Sequence, residues 1–557
     1  MTDQAVSDQD ARAKADATAT ILAALGRVVG EAIAKASALT KGGREIDACQ
    51  PQAERVAYLA TELEAARALD RYARGVAASG ASEPYLDDMA LAFAAEAASR
   101  AAVQIDAHLG DFGLSDALLG ETLAAPTVRE AIRDGLRDER LCAIGRHQLA
   151  TRGVNNSPLE ELPAMARDSV RQFAATEVAS IAERLHRHDE LIPDTLIQKM
   201  AELGYFGMAV PEEYGGGGMG NLVMIVTTEE LSAVSLAGAG SLITRPEILT
   251  KALVKGGTEE QKRKWLPPIA AGEIMVGVAV TEPDIGSDVA SIACRADPGE
   301  RDGRKGWLVN GAKAWCTFAG RANVLALLAR TDPNPKLGAK GLSLLVVPKD
   351  PFPGHAFEMR QPGGGLLTGK ADPTPGYRGM HSFTLMFDQW FVPTENLVGL
   401  EGGIGKGFYL QMAGFAAGRL QTGGRATGLA QAALQRTAEY TNDRRQFGRP
   451  IGEFGLTQYK LGRMATHIAA ARQLTYAAAR AMDENESIAL EPAMAKLFAS
   501  DVAVWVTQEG QLLHGGWGYA EEFAISRYVV DATVLPIFEG VKPILELKVI
   551  ARTLLGS

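Results

Sequence analysis

The sequence predicts an α+β protein of several domains, arranged along the chain in the order helical, helical, β and helical. Its 557 residues exceed what one ordinary core can hold, because single domains usually contain roughly 100 to 200 residues. Apolar residues recur at helical spacing in the first part of the chain, whereas short apolar runs alternate with turn formers in its middle part. With 46% hydrophobic and 22% charged residues, the composition is that of a folded globular protein.

Changes in these patterns predict four domains. Residues 1–154 are rich in alanine, glutamate, leucine and arginine, and "QAERVAYLATELEAARALDRYARGVAA" has helical periodicity. The turn-forming stretch "GVNNSPLEEL" resembles a capping box and begins a second helical domain over 155–273. Runs such as "VGVAVT" and "LSLLVVP" indicate a β domain over 274–398, and long amphipathic helices return over 399–557.

The first helical domain resembles part of the last. The segment Leu59–Leu69 matches Met464–Leu474 at six of eleven positions. Such a match arises either from an internal repeat or from a shared alanine-rich composition, and the sequence leaves both explanations open.

Charge and cysteine content narrow the function classes. A net charge of −10 and a pI near 5.5 argue against a large phosphate-binding surface, so nucleic acid is not expected as a partner. The four cysteines form no CxxC pair, so neither a metal site nor a disulfide framework is predicted. The N-terminus lacks the pattern of a signal peptide, and no apolar run of roughly 18 residues indicates a membrane span, so a cytoplasmic protein is expected.

Two stretches of the β domain combine groups that could contact a cofactor. "VTEPDIGSD", Val280–Asp288, follows a predicted strand and gathers hydroxyls and backbone N–H groups in one loop, which suits a pyrophosphate or the polar edge of an aromatic cofactor. "NGAKAWCTFAG" places Trp315 and Thr317 on one side of a strand. Taken singly, these stretches are more readily explained as a plain turn and a core indole.

Four motifs in series carry a family resemblance: "VTEPDIGSD", "NGAKAWCT", "RRQFGRPIGEFGLTQ", and "HGGWGY" followed by "FEG". In this order and spacing, residues 155–557 resemble the acyl-CoA dehydrogenase family. The resemblance implies an α-helical domain, a middle β-barrel domain and a C-terminal four-helix bundle, here preceded by the extra N-terminal helical domain. It also implies a bound FAD and an enzyme that removes the α-proton and the β-hydride of an acyl-CoA thioester.

The resemblance implies that Glu539, in "LPIFEGVKP", is the catalytic base. Its own backbone N–H would also hydrogen-bond the thioester carbonyl as enolate charge develops. Taken by itself, a glutamate before a glycine near a chain end is more readily a helix cap. Some family members carry the base immediately before an arginine, and the matching position here is Gly418, which cannot act as a base.

The resemblance also assigns residues to the flavin. Trp315 would cover the flavin face away from the substrate, Thr317 would hydrogen-bond near N5, and Thr281 would lie near the pyrimidine end. The full set of implied cofactor-binding residues is Val278, Val280, Thr281, Gly286, Ser287, Trp315, Thr317, Arg444, Gln446, Phe447, Gln458, Gly515 and Gly516. Of these, the four from Arg444 to Gln458 would reach the FAD bound by a neighbouring subunit.

Three positions depart from the family pattern. Leu512 stands where the family has a glutamine, with Gln511 one step away. Val530, beside Asp531, replaces the arginine of an Arg-Asp pair, and Val541 replaces a threonine after "EG". These departures put the flavin contacts of this region in question but leave Glu539 in place.

Two further features point to a particular acyl group. The extra N-terminal domain and the long loop "EMRQPGGGLLTGKADPTPGYRGMHS" resemble the family members that oxidise (2S)-methylsuccinyl-CoA to mesaconyl-CoA in the ethylmalonyl-CoA pathway. An acyl group with a free carboxylate needs a cation or several donors, because burying an unpaired carboxylate is costly. Thr244 and Arg245 fall where the family lines the closed end of the acyl pocket, although an arginine at a helix start is more often a surface residue. The implied substrate contacts are Ser287, Arg419, Gly540, Thr244 and Arg245, with Arg419 at the CoA site.

Partners follow from the same resemblance. Electrons would pass to an electron-transferring flavoprotein. The alternatives are an acyl-CoA oxidase that uses oxygen, a dehydrogenase for another short or branched acyl-CoA, and a DNA-associated flavoprotein of the same fold, which the acidic composition disfavours. Family members are commonly tetramers in which the C-terminal bundles meet. If residues 1–150 mimic such a bundle and cover that surface, the protein is a homodimer.

Overall fold

The computed structural model describes residues 3–81, 83–485 and 488–556. The chain forms two compact units, one of Met1–Met165 with Thr422–Ser557 and the other of Ala166–Gln421. The predicted extra N-terminal domain therefore shares a unit with most of the C-terminal helical domain. The predicted boundaries at 154, 273 and 398 divide the chain more finely than these two units do.

The first unit begins with helices. They are α1 (Asp3–Leu39), α2 (Gln50–Ser79), α3 (Leu86–Ala107), α4 (Leu109–Phe112), α5 (Asp116–Glu121), α6 (Pro126–Gly135) and α7 (Asp138–Thr151). Helices α1, α2 and α3 pack against one another and bury mainly alanine, leucine and valine. Helix α2 ends at Gly80, which has a left-handed backbone with φ of 74°, a conformation that glycine adopts without steric cost. The helical character predicted for this region is confirmed.

Helix α1 bears on the expectation that the chain has no membrane span. Within the described ranges it is the one helix with the length and mean hydropathy of such a span, over Gln9–Leu39. This finding corrects the prediction that no apolar run reaches that length. In the structure α1 packs against α2, α3 and α6, and its side chains Ile21, Leu25 and Val28 are fully buried. For α1, length and composition alone therefore do not distinguish a core helix from a membrane span.

The second unit opens with a helical layer. Its helices are α8 (Glu161–Phe173), which begins just before the unit boundary, α9 (Ala179–Arg187), α10 (Asp194–Glu202), α11 (Gly220–Val234), α12 (Thr244–Gly256) and α13 (Glu259–Ala270). Helix α13 begins with a capping box in which Thr258 and Gln261 each accept a backbone hydrogen bond from the other. Helix α11 is buried on nearly all sides, as expected for a mainly apolar helix without a clear polar face.

The predicted middle β domain is confirmed as one sheet of eight strands. The strands are β1 (Val276–Ala279), β2 (Arg295–Arg301), β3 (Arg304–Thr317), β4 (Val324–Arg330), β5 (Leu342–Pro348), β6 (Ala356–Arg360), β7 (Leu366–Ala371) and β8 (Ser382–Pro393). Their order is β1-β4-β2-β3-β8-β7-β6, and β5 pairs with β4. The inward side chains, among them Val309, Leu327 and Phe383, form a buried apolar cluster.

Helices return in the last part of the chain. The elements are α14 (Gly407–Asp443), β9 (Arg445–Gln446), β10 (Arg449–Pro450), α15 (Gly455–Glu484), α16 (Leu490–His514), α17 (Ala524–Ala532), α18 (Lys542–Ile544) and α19 (Arg552–Gly556). Strands β9 and β10 form a two-stranded hairpin. Helices α15 and α16 pack against each other, and a π-helical turn, Leu545–Ala551, joins α18 to α19.

Helices α2 and α15 bear on the proposed repeat. Each has 30 residues, and the two matching segments begin at the tenth residue of their helices. Helices α2 and α7 both pack against α15. The contact between α7 and α15 is close, because a Cβ on Gly145 would lie 1.8 Å from the Gln458 carbonyl oxygen and one on Gly462 would lie 1.9 Å from that of Leu141. The N-terminal helices and the C-terminal bundle therefore share a tightly packed interface, while the repeat itself stays a prediction.

Candidate active site

Glu539 lies in a tight turn and not at a helix cap. The turn follows α17 and is closed by backbone hydrogen bonds from the Phe538 N–H to the Val534 carbonyl, 3.1 Å, and from the Lys542 N–H to the Pro536 carbonyl, 2.9 Å. The next helix, α18, has Val541 as its N-cap. The alternative explanation of Glu539 as a cap for that helix is therefore wrong.

The backbone of this turn is strained at the carboxylate. Glu539 has φ of 54° and Gly540 has φ of 98°. A left-handed residue other than glycine costs about 1–3 kcal/mol and persists only where its surroundings hold it. The fully buried Lys496 of α16 donates a 2.5 Å hydrogen bond to the Gly540 carbonyl, and the Arg425 guanidinium lies 4.7 Å from the Phe538 ring centroid. The turn is thus held on both sides of Glu539 by two cations that the family motifs do not include.

The second unit contains the loop that follows β1, which begins with a buried ion pair. The ammonium of Lys313, a fully buried residue of β3, lies 2.9 Å from both the Val280 carbonyl and Oε1 of Glu282. Glu282 also accepts backbone hydrogen bonds from Ala293 and Cys294 at 2.7 and 2.8 Å. Removal of either charge would leave the other buried and unpaired, which is strongly destabilising. The buried pair of Lys313 and Glu282 therefore fixes the start of the loop.

Beyond this ion pair the loop is open. Paired backbone hydrogen bonds between Glu282 and Ile285, 2.9 and 3.1 Å, fold it back on itself. Gly286 and Ser287 are exposed, and no atom lies within 4 Å of the place where a Cβ on Gly286 would be. The packing of the chain itself does not require a glycine at this position, so the open space fits a ligand that approaches the backbone closely.

Trp315 is presented by an irregularity in β3. The register between β3 and β8 shifts between Lys313 and Cys316, and Trp315 has a left-handed φ of 55°. Such a bulge re-aims a side chain, and here 59% of Trp315 is exposed. Two residues on, the Thr317 hydroxyl lies 3.1 Å from that of Ser382, a residue outside the motifs. An exposed indole beside hydroxyl groups fits the flat ring system of a flavin.

The "RRQFG" motif forms the hairpin between β9 and β10. Its two turn residues, Phe447 and Gly448, have φ of 51° and 85°, as a type I′ turn requires at both central positions. Asparagine or glycine is the usual residue at the first of them, so Phe447 is strained there. It is also 94% exposed, and Arg444 and Gln446 are exposed as well. The strained Phe447 is therefore accessible to another molecule, and its predicted contact with the FAD of a neighbouring subunit stays a prediction.

Gln458 differs from these three residues. Its side-chain amide donates a 3.2 Å hydrogen bond to the Gly452 carbonyl, and its Oε1 lies 3.3 Å from the Arg146 guanidinium of α7. Contacts within this unit already use both ends of the side chain. A role for Gln458 at the cofactor of a neighbouring subunit therefore stays a prediction that these contacts do not favour.

The glycine pair of "HGGWGY" lies beside an open cavity of about 500 Å³ in the first unit. Gly515 ends α16 with φ of 61°, and neither Gly515 nor Gly516 has an atom within 4 Å of a notional Cβ. The cavity is lined by Arg436, Glu439, Tyr440, Asp443, Arg444, His514, Trp517, Phe523, Ala524 and Ile525. The structure thus brings Arg444 of one motif to the same cavity as Trp517 of another.

Two of the three departures from the family pattern have local replacements. Gln511, one position from the usual glutamine, donates a 3.1 Å hydrogen bond to the Gly518 carbonyl and so supports the turn after α16. Asp531 faces the guanidinium of Arg527 at 3.8 Å, and both side chains are buried. Val530 stands where the family has an arginine, but Arg527, four residues before Asp531 on the same helix, faces this aspartate instead.

The predicted substrate residues Thr244 and Arg245 begin α12 in the second unit. Thr244 donates a 2.6 Å hydrogen bond to Oε1 of Gln421, whose amide in turn donates to Glu247. Arg245 is only 5% exposed, so the alternative that it is a surface residue is wrong. Arg419 is half-buried two residues before Gln421 on α14. We call Thr244, Arg245, Glu247 and Gln421 the α12 polar cluster.

The second unit also brings together three potential metal ligands, Asp189, His355 and His381, with ligand atoms within 4.8 Å of one another. Oδ1 of Asp189 lies 3.1 Å from Nε2 of His381 and 3.7 Å from Nε of Arg378. The arginine already balances the charge of the carboxylate. The cluster is therefore explained by a hydrogen bond and an ion pair that join Asp189 to the loop just before β8.

Comparison with protein-family models gives three consecutive matches. Residues 161–273 match the N-terminal domain of acyl-CoA dehydrogenases, residues 277–390 match the middle domain, and residues 405–555 match the C-terminal domain. Together they cover the chain from α8 to α19, which leaves α1 to α7 as an addition in front of the family's domains.

Individual proteins agree with these matches. A (2S)-methylsuccinyl-CoA dehydrogenase of Cereibacter sphaeroides is 43% identical over 75% of this chain and 74% of its own. A chain from a structure of the electron transferring flavoprotein of Acidaminococcus fermentans has a TM-score of 0.62 and 31% identity, over 70% of this chain and 97% of that one. A glutaryl-CoA dehydrogenase from Mycobacterium smegmatis in complex with FADH2 has a TM-score of 0.61 and 25% identity, over 70% and 94%. This chain therefore belongs to the acyl-CoA dehydrogenase family.

Proposed function

We propose that this enzyme oxidises (2S)-methylsuccinyl-CoA to mesaconyl-CoA. Acyl-CoA dehydrogenation itself follows from family membership. The observation that supports the more specific proposal is the α12 polar cluster, because it contains a buried guanidinium, Arg245, which could pair with a second carboxylate on the acyl group. The 43% identical relative, which is named for this substrate, supports the same choice.

FAD is the cofactor of this family, and when bound it accepts the β-hydride of the thioester. In this chain Trp315 would pack on the flavin ring, and Thr317 and Thr281 would supply hydroxyl groups at its polar edge. The open loop at Gly286 and Ser287 would receive the pyrophosphate through backbone N–H groups.

Glu539 would take the α-proton. A thioester α-carbon is a weak acid, so the reaction needs a base held in place and a donor at the carbonyl oxygen where enolate charge develops. The carboxylate and backbone N–H of Glu539 belong to one residue in a strained turn. When Lys496 fixes the adjacent Gly540 carbonyl, it constrains both groups together.

The α12 polar cluster would select for a second carboxylate on the acyl group. A carboxylate buried without a partner costs several kcal/mol, so a site that accepts one must supply a cation or several donors. Arg245 provides five N–H groups in a planar fork that matches a carboxylate. A purely aliphatic acyl chain has no group that can use the charge of Arg245, so it would gain nothing from this cluster.

An electron-transferring flavoprotein is the proposed electron acceptor. The structural neighbour from Acidaminococcus fermentans comes from work on such a flavoprotein, which supports this partner class. Tyr519, which is 88% accessible in the first unit, is an aromatic side chain that such a partner could contact.

A homodimer is the proposed assembly. In the first unit α2 and α3 pack against α15, and α2 also packs against α16, so N-terminal helices already cover one side of the bundle. Light scattering of the purified protein is expected to give about twice the 59.1 kDa mass of the chain. A stable species of four chains would contradict the idea that the N-terminal helices replace a second dimer.

Anaerobic titration of the purified holoenzyme tests the proposed substrate. Methylsuccinyl-CoA, glutaryl-CoA and butyryl-CoA are added separately, and loss of the visible flavin absorbance is followed. Methylsuccinyl-CoA is expected to bleach the flavin faster and at lower concentration than butyryl-CoA, because only the former can pair its carboxylate with the α12 polar cluster. Equal or faster bleaching by butyryl-CoA would contradict the proposed substrate and leave the family activity intact.

A further inference from the structure

The segment that carries Glu539 is contacted by the added N-terminal helices as well as by the bundle. The relevant position is Lys542, three residues after Glu539 and the first residue of α18. Its ammonium lies 2.6 Å from Oδ2 of Asp501 on α16 and 5.0 Å from the ring centroid of Tyr58 on α2. The Tyr58 hydroxyl donates a 2.5 Å hydrogen bond to that same oxygen of Asp501. One carboxylate oxygen thus joins the N-terminal domain to the segment that carries the proposed base.

We infer that the N-terminal domain positions the catalytic carboxylate, and that Tyr58 does so by holding Asp501 and Lys542. The inference rests on the proposed role of Glu539 as the base. We call Tyr58, Asp501 and Lys542 the Tyr58 link. Tyr58 acts through Asp501 and Lys542 and is therefore a positioning residue.

The need for such a link follows from backbone strain. Glu539 is left-handed and is followed by Gly540, the most permissive residue for a change of backbone angle. Lys496 fixes the Gly540 carbonyl, and the Tyr58 link fixes the side chain two residues later. With both points held, the segment has little freedom to relax its strain by turning the Glu539 carboxylate elsewhere.

The chemistry of the link makes it stronger than an ordinary surface contact. Burial raises the pKa of Tyr58 well above its ordinary value, so the phenol remains a hydrogen-bond donor at physiological pH. Hydrogen bonds to an ionised carboxylate are shorter and roughly twice as strong as neutral ones. Glu546 lies 3.9 Å from Lys542 on the next turn, and burial raises the pKa of Glu546 to about 6.

Other contacts between the N-terminal domain and this segment are weaker candidates. Asp47 pairs with Lys548 at 2.7 Å, but the two side chains are 69% and 39% exposed. Ion pairs exposed to this degree contribute little, about 0–1 kcal/mol. The Ser37 hydroxyl donates to the Leu555 carbonyl at 2.7 Å, further along the chain from Glu539. Among these contacts, loss of the Tyr58 link is therefore the one expected to change the position of the Glu539 carboxylate.

Tyr58→Phe tests the inference, because it removes the hydroxyl and keeps the ring beside Lys542. We expect kcat to fall at least about tenfold, with KM changed less than about twofold. Displacement of a catalytic group by about 1 Å can lower the rate on the order of 10²-fold. FAD content should stay at the wild-type level. The kinetic isotope effect for an α-deuterated substrate should rise, because poorer proton abstraction makes that step more rate-limiting.

Tyr72→Phe is the matched control. Tyr72 lies on the same helix, and its hydroxyl also makes partly buried hydrogen bonds, to Glu83 and to the Pro158 carbonyl, both at 3.0 Å. These partners lie outside the catalytic segment, so kcat and the isotope effect should match those of the wild type. If the two variants behave alike within about twofold, α2 contributes only to stability and the inference is wrong.

Lys542→Met removes the ammonium group that pairs with Asp501 at the other end of the Tyr58 link. It should reproduce the kcat defect of Tyr58→Phe, and the double variant should lose little more than the stronger single one, as expected for residues that act as a unit. Fully multiplicative losses would overturn the inference. The outcome is separable from the proposed function, because loss of turnover in Glu539→Gln with normal turnover in Tyr58→Phe contradicts only the positioning role.

Discussion

Glu539→Gln is expected to abolish turnover while the purified protein keeps its FAD and still binds acyl-CoA. The amide has nearly the size and shape of the carboxylate, but it cannot accept the α-proton. General base catalysis contributes about 10²–10⁴-fold, and removal of the base should lower kcat toward the upper end of that range. Retained flavin absorbance, together with a spectral shift on addition of thioester and no anaerobic bleaching, would establish the role.

The control for this variant is Glu521→Gln, at an exposed glutamate in the same unit. The same chemical change there should leave bleaching and kcat unaffected. The structure also predicts that Glu539→Gln folds normally, because the Lys496 hydrogen bond to Gly540 uses the main chain and not the Glu539 side chain. A Glu539→Gln protein that still bleaches with thioester would require another base.

The fold was largely predictable from the sequence because its signals are local. The helical periodicity of Leu59–Leu69 follows from which side chains of that segment are buried. The same holds for the short apolar runs of β4 and β5. The packing of α1, α2 and α7 was not predictable in this way. Contacts such as that between Tyr58 and Asp501 join positions 443 residues apart, and no local pattern specifies them.

The candidate site shows the same division. Motif residues such as Trp315 and Phe447 were identifiable, but the left-handed backbone that exposes each of them was not, since their side chains ordinarily avoid it. Lys313 and Lys496 have the composition of surface residues and are fully buried. Each owes its position to a carbonyl or carboxylate more than 30 residues away, at Glu282 and Gly540.

Three of the thirteen non-glycine residues with a left-handed backbone in the described part of the chain link its fold to its chemistry. Glu539, Trp315 and Phe447 all have φ between 51° and 55°, and each is a residue that the motifs assign to catalysis or cofactor binding. Backbone strain at non-glycine residues persists where the surroundings over-determine it and concentrates at functional sites. The surroundings at Glu539 include two buried cations, Arg425 and Lys496, which contact the residues before and after it.

Arg245→Ala is expected to change substrate preference more than overall activity. If the guanidinium pairs with the free carboxylate of the acyl group, its loss removes a charge-assisted hydrogen bond worth about 1.5–3 kcal/mol. That energy corresponds to about a 10- to 150-fold fall in kcat/KM for methylsuccinyl-CoA. Butyryl-CoA has no carboxylate to lose a partner, so its kcat/KM should change by less than about threefold. The measurement is the ratio of the two kcat/KM values.

The matched control is Arg171→Ala, which breaks the ion pair between Arg171 and the buried Glu230 in the same unit, with a 2.8 Å contact. Both variants remove one arginine from a helical layer, so both should lower the melting temperature. Only Arg245→Ala should alter the ratio of the two kcat/KM values, because Arg171 is outside the α12 polar cluster. If Arg245→Ala lowers kcat/KM for methylsuccinyl-CoA and butyryl-CoA equally, the guanidinium stabilises α12 and the second carboxylate is recognised elsewhere. Equal loss would leave Glu539 as the base and withdraw the structural reason for choosing a dicarboxylic acyl group.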